Sequence, residues 1–363
     1  MKNKYDIKLL GFVPPPYGGV SIYIQRLYFR LNEAGYTAGA FFIDDSIKEA
    51  QMPLMDRFIW LSTKRFFRVY RYYSRIIKEY NIIHSHFSLE GMAFLWCFKC
   101  FFNKKIVITI HNSMIDEYYK YDKNFINKYF LRRMAQSDVL WIAVSKQGKD
   151  ALMNLPFRFR NEPIVIPAYI PIKKEEMEPL PSSMSGYIMR HTKIITFYGH
   201  SFMTSNGVDI YGFIDALRVY SNIVKKSDPD LGMLYCIADQ SDKDKIERLH
   251  QEAMKLGVDD LIYWQLGPIK DMDTLWRLTD VYIRPTCTDG DSVAVREALD
   301  LGVNIVASDV CFRPEGVITY QYGNKEDFYG KVELALAKPR GRETANMAPY
   351  YSMLDVYNKL LTK

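Results

Sequence analysis

The stretch that most constrains the fold of this chain runs from Asp280 to Gly316. It holds a short apolar run at Val281–Ile283, a polar turn at Thr286–Ser292, a helix-forming run with apolar spacing at Val293–Leu301, and a second apolar run at Val303–Ala307. This order predicts a strand, a loop, a helix and a second strand, as in a parallel α/β sheet.

The loop of this stretch is expected to present backbone N–H groups at a helix N-terminus. Such a position favours a phosphate or another anion, because the helix dipole and the unpaired amides act together. Glu297 lies about one turn into the predicted helix and can reach back toward a ligand bound at its start. The loop is therefore a candidate binding site.

Asp289 and Glu297, with seven residues between them, are followed by A-L-x-x-G and by an apolar strand that ends A-S-D. This pattern resembles the E-x7-E region of the retaining glycosyltransferases of family 4, which have the GT-B fold. The resemblance implies that Glu297 binds the ribose of a nucleotide-sugar, that Asp289 lies near the sugar, and that the loop amides hold sugar and diphosphate. The chain departs from the family in having Asp289 for the first Glu and Asn304 in place of Pro.

A glycine pair, Gly18 and Gly19, stands between the first predicted strand, Lys8–Val13, and a helix that begins near Val20. Glycines at this position let a ligand approach the backbone closely. The spacing is not G-x-G-x-x-G, which argues against a dehydrogenase. A similar P-x-x-G-G loop closes over the donor in family 4, so the resemblance assigns both glycines to donor binding and Gly19 to the catalytic group.

Three later predicted strands end in polar residues: His86, His111 and Ser145. Ligands of parallel α/β sheets bind at the carboxyl ends of strands, so these side chains are expected to line one cleft. The resemblance places His111, in Thr109-Ile110-His111, near donor and acceptor as a catalytic residue together with Asp289. Ser145, in Val144-Ser145-Lys146, resembles a serine that precedes a helix in the family. We expect Ser145 and the strand-end His86 on the acceptor side.

The phosphate-binding positions of the family are altered in this chain. Gly199-His200 stands where G-R is usual, and Asn206-Gly207 stands where K-G is usual before a helix, so positive charge is reduced. Arg284 is a candidate to replace the missing positive charge. The alternative of a weak or inactive enzyme stays open. The expected donor-binding residues are Gly18, Gly19, Gly199, His200, Asn206, Arg284, Asp289, Gly290, Asp291, Ser292, Val293 and Glu297.

The length of 363 residues suits two domains. The expected fold class is α/β, of the GT-B type: two Rossmann-like parallel-sheet domains that face each other across a cleft. We expect an acceptor-binding domain at 1–170, a linker at 171–190, a donor-binding domain at 191–345, and a C-terminal helix at 346–363 that returns to the first domain.

Charge is unevenly distributed along the chain. Residues 1–150 hold 23 Lys and Arg against 13 Asp and Glu, a net charge of +10, whereas the remainder holds 25 against 29, a net charge of −4. Six cations between Arg57 and Tyr80 recur on one stripe of a predicted amphipathic helix. This helix either has a solvated basic face or binds an anionic membrane surface or acceptor.

Several classes of protein are disfavoured by what the sequence lacks. No run reaches the ~18 apolar residues of a membrane span, and the N-terminus does not resemble a signal peptide. Five cysteines give no disulfide framework, which favours the cytoplasm, with peripheral attachment to the inner face of the membrane as an option. The basic stripe lies in no recognised nucleic-acid-binding module, so no nucleic-acid partner is expected.

The predicted function is transfer of a sugar, with retention of configuration, from a nucleotide-diphosphate-sugar to a glycan or lipid-linked acceptor in cell-surface polysaccharide biosynthesis. No metal ion and no cofactor besides the donor substrate is expected, because amides, a helix dipole and side chains neutralise the diphosphate. Two alternatives remain: a nucleotide-sugar epimerase of the same fold, and a non-catalytic nucleotide-sugar-binding partner of a polysaccharide assembly complex.

Overall fold

The structure is a computed structural model that describes residues 5–14, 18–41, 78–86, 91–171, 180–269 and 272–362. It divides into two compact units. The first comprises Met1–Ile170 and Met347–Lys363, and the second comprises Pro171–Asn346. Each unit contains a six-stranded parallel sheet with helices between the strands, so the α/β class and the Rossmann-like architecture expected from the sequence are confirmed.

The first unit is an alternation of strands and helices. Its strands are β1 (Tyr5–Phe12), β2 (Ala38–Phe41), β3 (Tyr80–Ser85), β4 (Lys105–Ile110), β5 (Leu140–Ala143) and β6 (Ile164–Val165). Its helices up to β6 are α1 (Gly19–Glu33), α2 (Met92–Phe102), α3 (Ile115–Tyr121), α4 (Phe125–Ala135) and α5 (Lys146–Met153). The strands are arranged in the order β2-β1-β3-β4-β5-β6, so the order reverses between β1 and β3.

The second unit repeats this plan with a different strand order. Its strands are β7 (Ile194–Gly199), β10 (Gly232–Ile237), β11 (Ile262–Leu266), β12 (Val281–Arg284), β13 (Asn304–Ser308) and β14 (Ile318–Tyr320), with a small hairpin of β8 (Thr204–Ser205) and β9 (Val208–Asp209). Its helices are α6 (Ser182–Ile188), α7 (Phe213–Lys226), α8 (Lys243–Lys255), α9 (Met272–Arg277), α10 (Val293–Asp300) and α11 (Lys325–Ala337). The sheet order is β11-β10-β7-β12-β13-β14, which reverses between β7 and β12.

Side-chain caps begin several of these helices. The capping side chains accept a hydrogen bond from a backbone N–H of the first turn, which would otherwise have no partner inside the helix. They are Asn124 for α4, Ser145 for α5, Asp242 for α8, Ser292 for α10 and Asn324 for α11.

The last helix, α12 (Ala348–Leu361), packs on the first unit. Its buried residues join the core formed by β1 and α1. The hydroxyl of Tyr350 donates to the carbonyl of Arg30 at 2.9 Å, and the hydroxyl of Tyr357 lies 2.5 Å from Nδ1 of His84 on β3. The chain end therefore supports the first sheet.

One sequence prediction, the linker, needs correction, and another, the basic helix, lies mostly outside the described residues. Part of the predicted linker, 171–190, is the helix α6, because Met184 and Tyr187 are buried against the second sheet. The hydroxyl of Tyr187 donates to Leu261 O at 2.5 Å and accepts from Met233 N at 2.8 Å. Of the basic helix predicted at 57–80, residues 57–77 lie outside the described residues, and the rest is a turn and the start of β3.

Among the described ranges, no helix has the length and apolar composition needed to cross a membrane.

Gly302 is required by the close approach of two backbone segments after α10. Its φ is +71°, and a Cβ there would collide with the carbonyl of Gly341, whose carbon would lie 2.6 Å away. We expect Gly302→Ala to lower the free energy of unfolding by about 1–3 kcal/mol from the left-handed backbone alone. Urea unfolding measures this. Gly330→Ala, in the middle of α11 with open space around it, is the control and should raise stability by about 0.5–1 kcal/mol. Equal effects of the two changes would contradict the assignment.

Candidate functional site

The donor-side candidates of the second unit gather at the carboxyl ends of two neighbouring strands. β7 ends at Gly199 and is followed by His200, and its partner β12 ends at Arg284. The strand order reverses between them, and ligands of open α/β sheets bind at such a switch point. The fold thus places the polar loop 285–292 and the start of α10 where a ligand is expected.

Asp289 is held between two arginines. Arg284 forms a bidentate pair with it, from Nε to Oδ2 at 2.9 Å and from Nη2 to Oδ1 at 3.1 Å. Arg313 donates from Nη1 to Oδ2 at 2.8 Å. The Asp289 side chain is 10% exposed, and those of the arginines are 9% and 4% exposed, so the cluster is nearly buried.

This cluster retains one positive charge. Burial alone would raise the pKa of Asp289, but Arg284 and Arg313 hold that pKa below its usual value, so the carboxylate is ionised. Two guanidinium groups then face one carboxylate. Arg284 also lies over the ring of Tyr211, 5.4 Å from its centroid, and contacts the hydroxyl of Tyr282 at 3.2 Å. The result is a rigid cationic cluster at the switch point.

The remaining loop residues bind mainly to one another. Asp291 accepts from Nε of Arg296 through both oxygens, at 2.7 and 2.9 Å, and burial raises its pKa despite this partner. Gly290 N donates to Asp289 at 3.1 Å. Ser292 caps α10 by accepting from Val295 N at 3.4 Å, and Val293 is the first residue of that helix.

Glu297 lies inside the second unit at 5% exposure. Its Oε2 accepts a hydrogen bond from Nε1 of Trp276 at 3.3 Å, which orients the carboxylate. A ribose contact by Glu297 stays a prediction.

The end of β7 has a packing role as well. A Cβ at Gly199 would lie 2.5 Å from the ring of Phe213, the first residue of α7, so glycine allows the strand and helix to meet. His200 follows with Nδ1 buried and without a hydrogen-bond partner in the described part of the chain. Burial lowers the pKa of His200, against the opposing effect of Asp239, so the imidazole is neutral near pH 7.

Asn206 does not stand at a helix start, which corrects the sequence prediction. Asn206 and Gly207 form the turn of the β8–β9 hairpin, with φ values of +50° and +79°, the signs that a type I′ turn requires. The helix begins instead at Phe213. Asp209 orders the approach to it by accepting from Tyr211 N at 3.0 Å and from Phe213 N at 2.7 Å. The N-G pair serves the hairpin because both residues tolerate positive φ.

In the first unit, the glycine pair begins α1. Gly18 is the residue before the helix, with extended backbone, and Gly19 is its first residue. The Oγ of Ser21 accepts from Gly18 N at 3.0 Å and donates to Gly18 O at 2.9 Å. Gly18 has room for a Cβ, whose nearest neighbour would lie 3.9 Å away, so local packing does not demand glycine there. Close approach of a ligand remains the expected reason.

His86 and His111 are brought together at the ends of β3 and β4. Nδ1 of His86 lies 3.0 Å from Nε2 of His111, and Tyr23 contacts both rings edge-on. Nε2 of His86 is buried and has no hydrogen-bond partner among the described residues. His84, behind this pair, is instead fully satisfied by Tyr357 and by Thr109 at 2.7 Å.

All three histidines are neutral at pH 7. Burial lowers the pKa of His84 to about 3 and the pKa of His111 to about 4. Burial and the two neighbouring rings place the pKa of His86 well below its usual value. Neutral imidazoles of this kind accept or donate one hydrogen bond to a sugar hydroxyl but supply no permanent charge.

Ser145 is used by the protein itself. Its Oγ caps α5 by accepting from Gly148 N at 3.1 Å. Its acceptor-side role stays a prediction.

Sequence analysis did not assign Arg313, Trp276 or Tyr211. Arg313 lies in the stretch Asp280–Gly316, in the sequence C-F-R-P-E-G that follows the second strand. An arginine so close to the candidate loop was the one signal that could have marked it as a partner of the acidic residues. Trp276 and Tyr211 come from segments distant in sequence, and no local pattern marks them as neighbours of Glu297 and Arg284.

Residues 17–170 match the model of the family described as Glycosyltransferase Family 4. The matched segment includes Gly18 and Gly19 and the two strands that are followed by His86 and His111. Over that segment it confirms the family resemblance seen in the sequence. No curated protein sequence matches the chain.

Solved structures of glycosyltransferases superpose on nearly the whole chain. Sucrose-phosphate synthase from Thermosynechococcus elongatus does so with a TM-score of 0.72 at 14% identity, covering 99% of this chain and 100% of that one. HepE from Anabaena, solved with UDP-glucose, gives 0.65 at 13%, covering 92% and 90%. WaaG, a glycosyltransferase involved in lipopolysaccharide biosynthesis, gives 0.62 at 14%, covering 92% and 90%.

Identities this low establish the fold alone. The fold is GT-B, as expected from the sequence, and residues 17–170 of the first unit match the Glycosyltransferase Family 4 model.

We expect Arg313 to be essential for the second unit's stability. Arg313→Met leaves the buried carboxylate of Asp289 with one cation instead of two, and removing one partner of a buried pair costs about 3–5 kcal/mol. Urea unfolding gives the value. Arg218→Met is the matched control in the same unit, because Arg218 lies at the surface 3.8 Å from each acidic partner and such pairs contribute about 0–1 kcal/mol. A loss no greater than that of the control would contradict the assignment.

The histidine cluster predicts a pH dependence of stability. The pKa values of His84, His86 and His111 are lower in the folded than in the unfolded chain, so the unfolded chain binds more protons below about pH 6.5. Stability is then complete above that pH and falls toward pH 4, by up to about 1.4 kcal/mol per pH unit for each histidine. Unfolding measured across this range should show a slope that His111→Asn reduces by about one proton. An unchanged slope would exclude His111 as a buried neutral group.

Proposed function

We propose that this chain is a retaining glycosyltransferase. It takes a sugar from a nucleotide-diphosphate-sugar, without a metal ion, and transfers it to a glycan or lipid-linked acceptor in the assembly of cell-surface polysaccharide. Support comes from the GT-B fold, the family match over 17–170 and the chemistry of the two strand-end clusters. Relatives of the same fold were solved with UDP-glucose or act in lipopolysaccharide biosynthesis.

The observation that carries the proposal is the cationic cluster beside the start of α10. Arg284 and Arg313 share Asp289, so one positive charge remains for an anion. The amides of loop 289–293 and the N-terminal end of the α10 dipole add to it. A diphosphate bound there needs less charge from His200 and Asn206, the positions where the sequence lacks the family's usual cations.

The transfer breaks the bond between the anomeric carbon and the diphosphate oxygen. That oxygen gains negative charge as the bond lengthens, and the guanidinium groups and amides of the second unit stabilise it. The acceptor hydroxyl forms the new bond on the same face of the sugar and loses its proton to the departing phosphate oxygen. In this proposal Asp289 positions the two arginines near the sugar and is not itself a nucleophile.

We propose that the first unit binds the acceptor and makes polar contacts to the reacting sugar. His111 is neutral, and its Nε2 lies 3.0 Å from Nδ1 of His86. This contact determines whether the other ring nitrogen of His111 donates or accepts a hydrogen bond. At Gly18 a Cβ would have its nearest neighbour 3.9 Å away, which leaves room at the start of α1 for close backbone approach. These roles follow the family resemblance.

A second candidate is a non-catalytic donor-binding protein of a polysaccharide assembly complex. The neutral His200 and the hairpin position of Asn206 favour it, because both remove cations that assist departure of the diphosphate. Donor turnover excludes this candidate. An epimerase of the same fold is distinguished by product analysis without an acceptor.

The donor site is tested by binding and then by turnover. A thermal-shift screen of nucleotide-sugars identifies the donor, since a ligand at 100 times its Kd adds about 2.7 kcal/mol. We expect Glu297→Gln to weaken donor binding by about 1–3 kcal/mol in calorimetry, because a charged acceptor for ribose hydroxyls is lost. Glu326→Gln, at the exposed first turn of α11, is the control and should leave the affinity unchanged.

Two results would count against the proposal. Unchanged donor affinity in Glu297→Gln removes the ribose assignment. Tight donor binding without any turnover, over a range of glycan and lipid-linked acceptors, supports the non-catalytic candidate instead.

A further inference from the structure

A small open pocket lies at the edge of the second unit, where β14 ends and α7 and α11 begin. It is lined by the last residue of β14, by the loop 322–325 and by the first turns of the two helices. We refer to it as the tyrosine pocket. It shares no residue with the groups assigned to donor, acceptor or transfer, and β14 is two strands away from β12 in the sheet.

Aromatic rings form one wall of the tyrosine pocket. Tyr320 and Phe328 stack with ring centroids 4.2 Å apart and an interplanar angle of 18°, and both are buried in the core of the unit. Tyr329 is partly buried against that core, and Tyr322 is 38% exposed. The wall therefore runs from the core to the surface, so a ligand can stack on a ring that the core holds in place.

The loop of the tyrosine pocket is held by hydrogen bonds that do not involve its aromatic side chains. Tyr322 N donates to Oδ1 of Asp309 at 2.9 Å, and Gln321 N donates to Oδ2 of Asp327 at 2.7 Å. Asn324 caps α11 by accepting from Asp327 N at 3.1 Å. The ring of Tyr322 is thus not needed for the conformation of the loop.

The tyrosine hydroxyls are available to a ligand. Those of Tyr320, Tyr322 and Tyr329 have no hydrogen-bond partner among the residues that the structure describes. Burial raises the pKa of each of these tyrosines, and the nearby carboxylate of Asp215 raises it further, so the hydroxyls are protonated and can donate. Three donors and one carboxylate acceptor are therefore close to the same space.

The charges around the tyrosine pocket favour an uncharged ligand. Lys325 lines the pocket together with Asp215, and Nη1 of Arg218 lies 3.8 Å from Oδ1 of Asp215. An organic cation would meet these basic groups, although aromatic rings attract cations. A phosphate would meet the carboxylate of Asp215.

The size of the tyrosine pocket restricts the ligand further. The pocket has a volume of about 110 Å³. A cavity needs about 10–15 Å³ to hold one water, so this pocket holds about seven to eleven atoms of that size. That is the size of one hexose ring and is too small for a nucleotide.

We propose that the tyrosine pocket binds one neutral hexose unit of a glycan. The C–H face of the sugar would stack on an exposed tyrosine ring, and its hydroxyls would pair with Asp215 and with the tyrosine hydroxyls. Because the pocket is open, the neighbouring units of the glycan can extend into solvent. The binding does not depend on the transfer reaction, and only its purpose, retention of a glycan on the second unit, rests on the proposed function.

Saturation-transfer NMR of the full chain with neutral trisaccharides tests the proposal. The probes are maltotriose, cellotriose and mannotriose, each at about 10 mM, which nearly saturates a site with a Kd of about 1 mM. We expect saturation transfer to at least one of them, with one sugar unit receiving more than the other two. Uridine and tetramethylammonium serve as probes for a nucleobase or a cation.

Variants locate the binding. We expect Tyr322→Ala to weaken trisaccharide binding about threefold to tenfold through the lost stacking, and Tyr322→Phe to weaken it less. Asp215→Asn should weaken it about fivefold, because a charge-assisted hydrogen bond becomes a neutral one. Tyr351→Ala, at a tyrosine that is 58% exposed on α12, is the matched control and should leave binding unchanged. Melting curves verify that each variant is folded.

Several outcomes would overturn the proposal. These are no transfer to any trisaccharide, equal affinity in Tyr322→Ala and the unchanged chain, and uridine or tetramethylammonium binding that Tyr322→Ala abolishes. Binding that only His111→Asn removes would place the glycan at the acceptor site of the first unit instead. Donor affinity, measured in the same variants, should be unchanged in Tyr322→Ala, so failure here is distinguishable from failure of the proposed function.

Discussion

The second unit depends on the neutralisation of Asp289 by two arginines in a nearly buried position. Arg284 comes from the end of β12, and Arg313 comes from the loop after β13, where it also binds Ser308 O at 3.0 Å and Thr286 Oγ1 at 3.0 Å. One carboxylate thus ties two strand ends and the loop between them into a single arrangement. Because a buried charge without partners is costly, the two arginines are needed to keep Asp289 in this position. Their surplus positive charge makes the cluster suitable for an anion.

The first unit solves a different problem, the burial of three imidazoles. His84 is satisfied by Thr109 on the next strand and by Tyr357 on the last helix, so the end of the chain completes a site that begins at β3. His86 then has one nitrogen engaged with His111 and one without a partner among the described residues. A buried polar atom without a hydrogen-bond partner is costly unless a ligand provides one. His86 lies at a strand end, which is where ligands of parallel sheets bind.

The uneven charge along the chain corresponds to the two structural units. The first 150 residues carry the excess of Lys and Arg, and part of that excess surrounds exposed aromatic rings on α3 and α4. The acidic remainder is largely the second unit, where the arginines of the switch point are used in internal pairs. The excess of positive charge therefore lies in the first part of the chain, whereas the arginines at the switch point of the second unit are held in internal ion pairs.

The sequence by itself determined the α/β class, the strand–loop–helix–strand unit at 280–316 and the neighbourhood of His86 and His111. These follow from apolar periodicity and from polar residues that end strands, which are local signals. Tertiary structure alone decided that Arg313 joins Arg284 and Asp289 and that residues 182–188 are helical. Both depend on partners far away in the chain: Arg313 lies 24 positions from Asp289, and the buried side chains of α6 need the second sheet. The Arg284–Asp289 pair and the Asn206-Gly207 turn are local contacts, whereas the family resemblance assigns those residues to the donor. Periodicity records which face of an element is buried, but it does not record which distant side chain will meet it there.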